Sequence, residues 1–369
     1  MFRKISIFFS IFAAVLLIGA GCAKVDENDQ KQAGGEQEGQ VKVGVMVPLT
    51  GGPASYGKSV KKGIELAHKQ LDQDIELVFE DSKCKGKASA SAAKKLINVD
   101  KVDAIIGELC SSATLAAAPI AQQNKVPMIS PASTAPEVTD QGDYIFRVIP
   151  GDSKQGKFGA KLVAEDGNER LAVLYVKDNY GTGFNEVLKK EFPKQGGEIV
   201  ESVSFKKGST SLQTQLTKIK AANPDSIFII SNAPDSTVAA LEQIEELGIE
   251  ADLYGSEGLK GGDTLKAGDA TEGLKITAVS AGSEEFVQAH KDEYDQSNPG
   301  PFSAQGYDAY QAIAKAVEKG AMTGPEIKEK LFTLDFKGAS GRIKFDENGD
   351  VPGNFRVLKI ENREFKPVK

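Results

Sequence analysis

Two stretches of small hydroxyl residues are the places where this chain could do chemistry. Gly107-Glu-Leu-Cys-Ser-Ser-Ala-Thr114 follows the apolar run Val102–Ile106, and Ser130-Pro-Ala-Ser-Thr-Ala-Pro136 follows Val126–Ile129. In an open α/β sheet, ligands settle beyond the carboxyl ends of the strands. Hydroxyls and helix N-terminal N–H groups converging on such a spot suit a carboxylate. Neither loop carries a base that could turn a hydroxyl into a nucleophile, so the pattern reads as binding without reaction. A third candidate is Glu257, set between glycines in Leu253-Tyr-Gly-Ser-Glu-Gly258 at the end of a short apolar run. Buried there, it would need a cation or hydrogen bonds; otherwise it is an exposed loop residue.

Enzymatic alternatives fail on inventory. Gly52-Pro-Ala-Ser-Tyr-Gly-Lys-Ser59 matches a phosphate-binding loop in spelling. However, Leu49–Gly51 separate it from its strand, and Phe228–Ile230 runs into Ser231-Asn232 rather than a magnesium-binding aspartate. The two histidines, His68 and His290, form no zinc-binding pair, and no G-x-S-x-G elbow occurs. Asp346-Glu-Asn-Gly-Asp350 has the look of half a calcium loop. Val351 stands where glycine is required, so the segment reads as a hairpin turn joining Gly341–Phe345 to Asn354–Ile360. The sequence implies no enzyme, no metal and no cofactor.

The elements that must position these residues alternate regularly. From Val41, continuous apolar strands alternate with amphipathic helices such as Tyr56–Leu71, whose Val60, Ile64, Ala67 and Leu71 share one face. The pattern restarts after Tyr144–Val148. Such alternation argues for parallel sheets covered on both faces, and 369 residues suggest two domains. The halves echo each other: Val43–Val47 leads to Tyr56-Gly57 and a helix, and Leu171–Val176 leads to Tyr180-Gly181 and a helix. One tyrosine per domain at the end of a first strand would face a shared cleft.

Residues 1–21 have the parts of an export signal: Arg3 and Lys4, the apolar Ile5–Ile18, and small residues before Cys22. The apolar run is shorter than the roughly 20 residues a membrane span needs. The cleavage region is similar to a bacterial lipoprotein signal, with Cys22 the lipid site, although Gly19 stands where that pattern prefers leucine. Residues 22–40 are polar and suit a flexible tether. The formal net charge of −7 disfavours nucleic acid and anionic membrane surfaces. Beyond Cys22, Cys84 and Cys110 form an even pair in an oxidising compartment, at the ends of strands that could be neighbours. They are either bridged or two free thiols.

With these residues in view, the chain resembles the branched-chain amino-acid binding proteins of ABC importers, the leucine-binding family with the type I periplasmic binding fold. The resemblance runs from about Val41 to Lys369 and is strongest in Leu-Cys-Ser-Ser and Ile-Ser-Pro-Ala-Ser-Thr-Ala-Pro-Glu. It implies an α/β fold of two doubly wound parallel-sheet lobes joined by a three-crossing hinge. The first lobe would comprise 41–150 plus 282–337 and the second 151–281 plus 338–369, with crossings near Ile149–Ser153, Val279–Ser283 and Phe336–Gly338. It implies a Cys84–Cys110 disulfide. Ser111 and Thr134 would hold a ligand carboxylate, with Ser133 beside them and Leu109, Cys110 and Ala132 on the floor. Glu257 would neutralise the ammonium, Tyr180 would close the cleft, and Tyr56 would form a wall. The implied function is an extracytoplasmic, lipid-anchored monomer that delivers an amino acid to membrane permease subunits. The other reading is a ligand-sensing receptor of the same fold. Some members carry aromatics where this chain reads Ser231-Asn232-Ala233-Pro234, which reshapes the side-chain pocket.

Overall fold

A computed structural model describes residues 39–368; the expected signal segment, Cys22 and nearly all of the expected tether lie outside them. The first half supplies strands β1 (Val41–Val47), β2 (Ile75–Asp81), β3 (Ala104–Gly107), β4 (Met128–Ser130) and β5 (Ile145–Arg147). They form one parallel sheet in the order β2-β1-β3-β4-β5. Between them run helices α1 (Ala54–Leu71), α2 (Gly86–Lys95) and α3 (Ser111–Gln123). Both faces of this sheet are buried. Val43, Val45 and Val47 point to one core, while Met46, Ile105 and Met128 point to the other. Period-two alternation within an apolar strand makes that division.

Helix α4 (Asp152–Glu165) leads into a second sheet. Its strands β6 (Arg170–Val176), β7 (Glu198–Phe205), β8 (Ser226–Ile230), β9 (Asp252–Gly255) and β10 (Lys275–Ala278) alternate with α5 (Asn179–Glu191), α6 (Gln213–Ala221) and α7 (Pro234–Glu246). These five strands are parallel. The chain then returns to the first lobe through α8 (Glu284–Glu293), α9 (Ser303–Glu318) and α10 (Gly324–Phe332). Helix α9 lies along α1, and its Ala309, Tyr310 and Ile313 join the core of the first sheet. The doubly wound architecture of two parallel-sheet lobes is the one implied by the sequence.

Two expectations for the C-terminal segment change. The last crossing is not at Phe336–Gly338, and residues 338–351 do not belong to the second lobe. Strands β11 (Phe336–Lys337) and β12 (Arg342–Ile343) pair with each other, and Ile343, Phe345 and Val351 are buried in the first lobe's core. Phe345 packs edge-on against Phe146 with centroids 5.1 Å apart, and Asp350 forms a buried ion pair with Arg147. These contacts hold the chain to the first lobe until just before β13 (Arg356–Glu361), which pairs antiparallel with β10. The 346–350 segment is therefore no hairpin turn between neighbouring strands. The hairpin here joins β13 to β14 (Glu364–Pro367), and its Asn362 and Arg363 both have positive φ, as a tight turn matched to strand twist requires.

Cys84 and Cys110 are joined in a disulfide with Cα atoms 5.4 Å apart. Their strands, β2 and β3, are not neighbours as anticipated, because β1 lies between them. The loops that follow them arch over the end of β1, and the bridge closes there.

Candidate functional site

In each sheet the strand order reverses at one point, between β1 and β3 in the first lobe and between β6 and β8 in the second. The reversal opens a crevice at the carboxyl ends of those strands. Tyr56, Ser111 and Thr134 follow β1, β3 and β4, whereas Tyr180, Asn232 and Glu257 follow β6, β8 and β9. All six line a single cavity between the lobes, together with Leu109, Cys110, Ala132, Gly258 and Phe302.

The first-lobe side of the cavity is a knot of hydroxyls. The Glu108 carbonyl accepts from Ser130 (2.5 Å), Ser133 (3.0 Å) and Thr114 (3.2 Å), tying the loops after β3 and β4 together. Ser133 is the one expected site residue that does not line the cavity. Its N–H donates to Ser130 Oγ and its hydroxyl turns inward to Glu108 and Thr114. Ser111, the first residue of α3, accepts the Ala135 N–H at 3.2 Å, which leaves its own hydroxyl hydrogen free to donate. Thr134 donates to Asp152 at 3.0 Å, and its carbonyl accepts from the buried Arg147.

Glu108 and Asp152 are buried acids that sequence reasoning assigned no part. The Glu108 carboxylate accepts from Ser82 (2.5 Å) and the Cys110 N–H (2.9 Å), so it braces the disulfide loop from beneath. Burial pushes its pKa up to about 7 and that of Asp152 up to about 8, partly offset by the hydroxyls that bond to them. Glu108 did stand inside the hydroxyl-rich motif, but nothing in the spelling shows that its side chain points down rather than into the cavity.

The second-lobe side offers acceptors. Glu257 is 3% exposed at the start of a 3-10 turn. One carboxylate oxygen accepts the Val279 N–H at 2.5 Å, and the other is buried with no donor. Burial raises its pKa to about 7. Tyr180 donates to Ser256 at 2.7 Å and so presents its ring and oxygen to the cavity. Asn232, Gly258 and Phe302 were missed as lining residues. Asn232 had a visible signal, its position directly after β8. Phe302 belongs to the loop before α9 and reaches the cavity only through the long return of the chain.

The Tyr-Gly echo between the halves has a steric cause. A side-chain carbon on Gly57 would lie 1.7 Å from the Pro48 carbonyl oxygen, and one on Gly181 would lie 2.0 Å from that of Val176. Each glycine lets the first turn of its helix press against the end of its strand, which aims the preceding tyrosine at the crevice. Tyr56 then bridges the lobes, its hydroxyl donating to the Gly258 carbonyl at 3.0 Å. In this setting Gly52–Ser59 is no phosphate loop, because α1 begins at Ala54 and Gly57 lies inside it, against Pro48.

Donors on one lobe and acceptors on the other, with no histidine in the lining, are an arrangement that suits a small zwitterion. The chain is similar to several known proteins. A leucine-, isoleucine-, valine-, threonine- and alanine-binding protein of Pseudomonas aeruginosa is 31% identical over 327 residues, covering 84% of this chain and 87% of the relative. The crystal structure of a leucine-binding protein from Thermotoga maritima has a TM-score of 0.84 at 32% identity, covering 89% of this chain and 98% of that one. A branched-chain amino acid transporter substrate-binding protein of Streptococcus pneumoniae, solved with isoleucine, has a TM-score of 0.81 at 27% identity, covering 89% and 99%. The family described as periplasmic binding protein matches residues 40–364, the two lobes and the cavity between them, and it is to this family that the chain belongs.

Proposed function

We propose that this protein is an extracytoplasmic receptor that captures an α-amino acid between its lobes and delivers it to the membrane permease of an ABC importer. The observation that carries the ligand class is the unpartnered oxygen of Glu257, buried opposite the hydroxyl loops. A buried acceptor without a donor is costly, about 1–3 kcal/mol and more when charged. A ligand ammonium removes that cost. Ser111, through its free hydroxyl hydrogen, and Thr134, through its backbone N–H because its hydroxyl is given to Asp152, then take the carboxylate. Leu109, Cys110 and Ala132 form the floor, Tyr56 is the wall, and Tyr180 packs over the ligand from the second lobe.

The two lobes supply different parts of the grip, so ligand held on the first lobe gains Glu257 and Tyr180 only when the cleft shuts. That differential contact biases the hinge towards closure. The cavity is complete within one chain, which fits action as a monomer. Cys22, following a signal of lipoprotein type, would anchor the protein to the membrane through its lipid alone; no helix among the described residues is long and apolar enough to cross a membrane.

Thermal-shift and calorimetric titration of the purified protein with leucine, isoleucine, valine, threonine and alanine test the reading. At least one should raise the melting temperature and bind, while the deaminated analogue 4-methylpentanoate should not. If carboxylates lacking an ammonium bind as well as amino acids, the assignment of Glu257 fails. Loss of membrane association in Cys22→Ser tests the anchor.

A further inference from the structure

A second residue of the cavity lining carries an unanswered acceptor. Asn232, directly after β8, donates its side-chain nitrogen to Asp178 at 3.1 Å. Asp178 caps α5, its other carboxylate oxygen accepting the Gly181 N–H at 3.0 Å. A carboxylate offers only acceptors, so the Asn232 amide can take just one orientation, nitrogen towards Asp178 and oxygen away. That oxygen is buried and has no hydrogen-bond donor, in a residue that lines the cavity. The rest of the lining away from the hydroxyl knot is largely apolar, with Leu109, Cys110, Tyr56 and Phe302. Glu257 and Asn232 are thus the two lining residues with buried side-chain atoms lacking partners among the described residues, and both atoms are acceptors.

Resting on the amino-acid reading above, we propose that Asn232 is a specificity residue that accepts a hydrogen bond from the ligand's side chain. The preferred ligand is then an α-amino acid with a hydroxyl or carboxamide side chain, not a purely aliphatic one. The ammonium answers Glu257, and the side-chain donor answers Asn232. A purely aliphatic ligand fills the same space but leaves the amide oxygen sealed from water and unbonded, which weakens binding by about tenfold or more.

Isosteric pairs isolate this hydrogen bond. Calorimetric titration of the purified protein with threonine against valine, and with asparagine against leucine, should show the polar member tighter by about tenfold or more in at least one pair. In Asn232→Leu that preference should vanish, with affinity for the aliphatic member kept or improved; Asn232→Ala serves if the leucine variant does not fold. An aliphatic member equal to or tighter than its polar twin in both pairs overturns the proposal, as does a polar preference that survives either substitution. The wild-type comparison decides the first point without any variant. If none of the four amino acids binds, it is the underlying amino-acid reading that fails.

Discussion

Replacing Glu257 by glutamine removes one charge and almost no volume, so its effect measures what the carboxylate does. In the wild type one oxygen is held by the Val279 N–H and the other waits buried without a donor. Glutamine can keep the Val279 bond with its carbonyl, but it then turns an NH2 group towards the place where an ammonium would sit. Truncating one partner of a buried, hydrogen-bonded charge pair costs about 2–5 kcal/mol, so amino-acid affinity at pH 7.5 should fall by roughly two to three orders of magnitude. The pH profile supplies a second, independent reading. Burial in the shut, unliganded cavity raises the carboxyl's pKa to about 7 against the pull of Lys260 and Arg356, opening the cleft to water moves it back towards the ordinary 4.5, and a bound ammonium favours the ionised form. Binding therefore releases a proton once the pH falls below the pKa of the unliganded protein, between those two limits, and affinity then falls by up to about tenfold per pH unit. Above pH 7 this group contributes no slope. Calorimetry from pH 5 to 8 should show the acid limb in the wild type and none in Glu257→Gln. Binding within a few-fold of wild type, or an acid limb of unchanged steepness in the variant, refutes the ammonium contact.

Three further outcomes follow from other parts of the site. Asp152, raised to about 8 by burial, accepts the Thr134 hydroxyl when ionised; as pH rises through 8 it claims that proton and adds negative charge beside the ligand carboxylate. Affinity should drop about three- to tenfold between pH 7 and 9, and calorimetry on Asp152→Asn should show a flat alkaline limb. Removing the disulfide with Cys84→Ser and Cys110→Ser, a closure across 26 residues, should lower unfolding free energy by about 3.5 kcal/mol in urea titration; a loss under about 1 kcal/mol would mean that Glu108 alone holds the loop. Gly181→Ala puts a methyl 2.0 Å from the Val176 carbonyl oxygen. It should destabilise the protein by about 2–3 kcal/mol in the same assay and weaken binding through the displaced Tyr180, whereas unchanged stability would show that the helix start is free to shift.

The parts of the site legible in the sequence are those set by local geometry. The two hydroxyl-rich loops, Tyr180 and Glu257 could be placed because residues beyond the carboxyl ends of parallel strands share one end of the sheet whatever the details, whereas Ser111 and Thr134 were singled out within those loops by the family resemblance. Orientation within a loop could not. Ser133 and Thr134 are adjacent and chemically alike, yet one turns into the Glu108 knot and the other lines the cavity. Their difference is set by Ser130 in their own loop and by Glu108 and Thr114 in the loop after β3. The last crossing failed for a similar reason. Ile343, Phe345 and Val351 are short apolar signals that either lobe could bury, and the decision rests on Arg147 and Phe146, about two hundred residues earlier in the chain. Those long-range partners leave no periodicity to read.

On the proposed amino-acid reading the two lobes contribute unequally to recognition, and that asymmetry would make closure depend on ligand. On the first lobe the donors are already organised: Ser111 is fixed by Ala135, Thr134 by Asp152 and Arg147, and the whole loop by the disulfide. On the second lobe the acceptors of Glu257 and Asn232 are organised but unanswered. While the cleft is open, water can reach these acceptors. Shut without ligand, the cavity leaves them dry. The rise of the Glu257 pKa from 4.5 to about 7 puts the penalty for keeping that carboxylate ionised in the closed cavity at about 3 kcal/mol. Ligand that cancels a penalty of this size shifts the open–closed ratio by roughly a hundredfold. The Tyr56–Gly258 bridge works the other way, since it forms on closure with or without ligand and contributes only about 1 kcal/mol. On the proposed reading the buried charge outweighs the bridge, and the ligand's cationic end would decide whether the cleft stays shut.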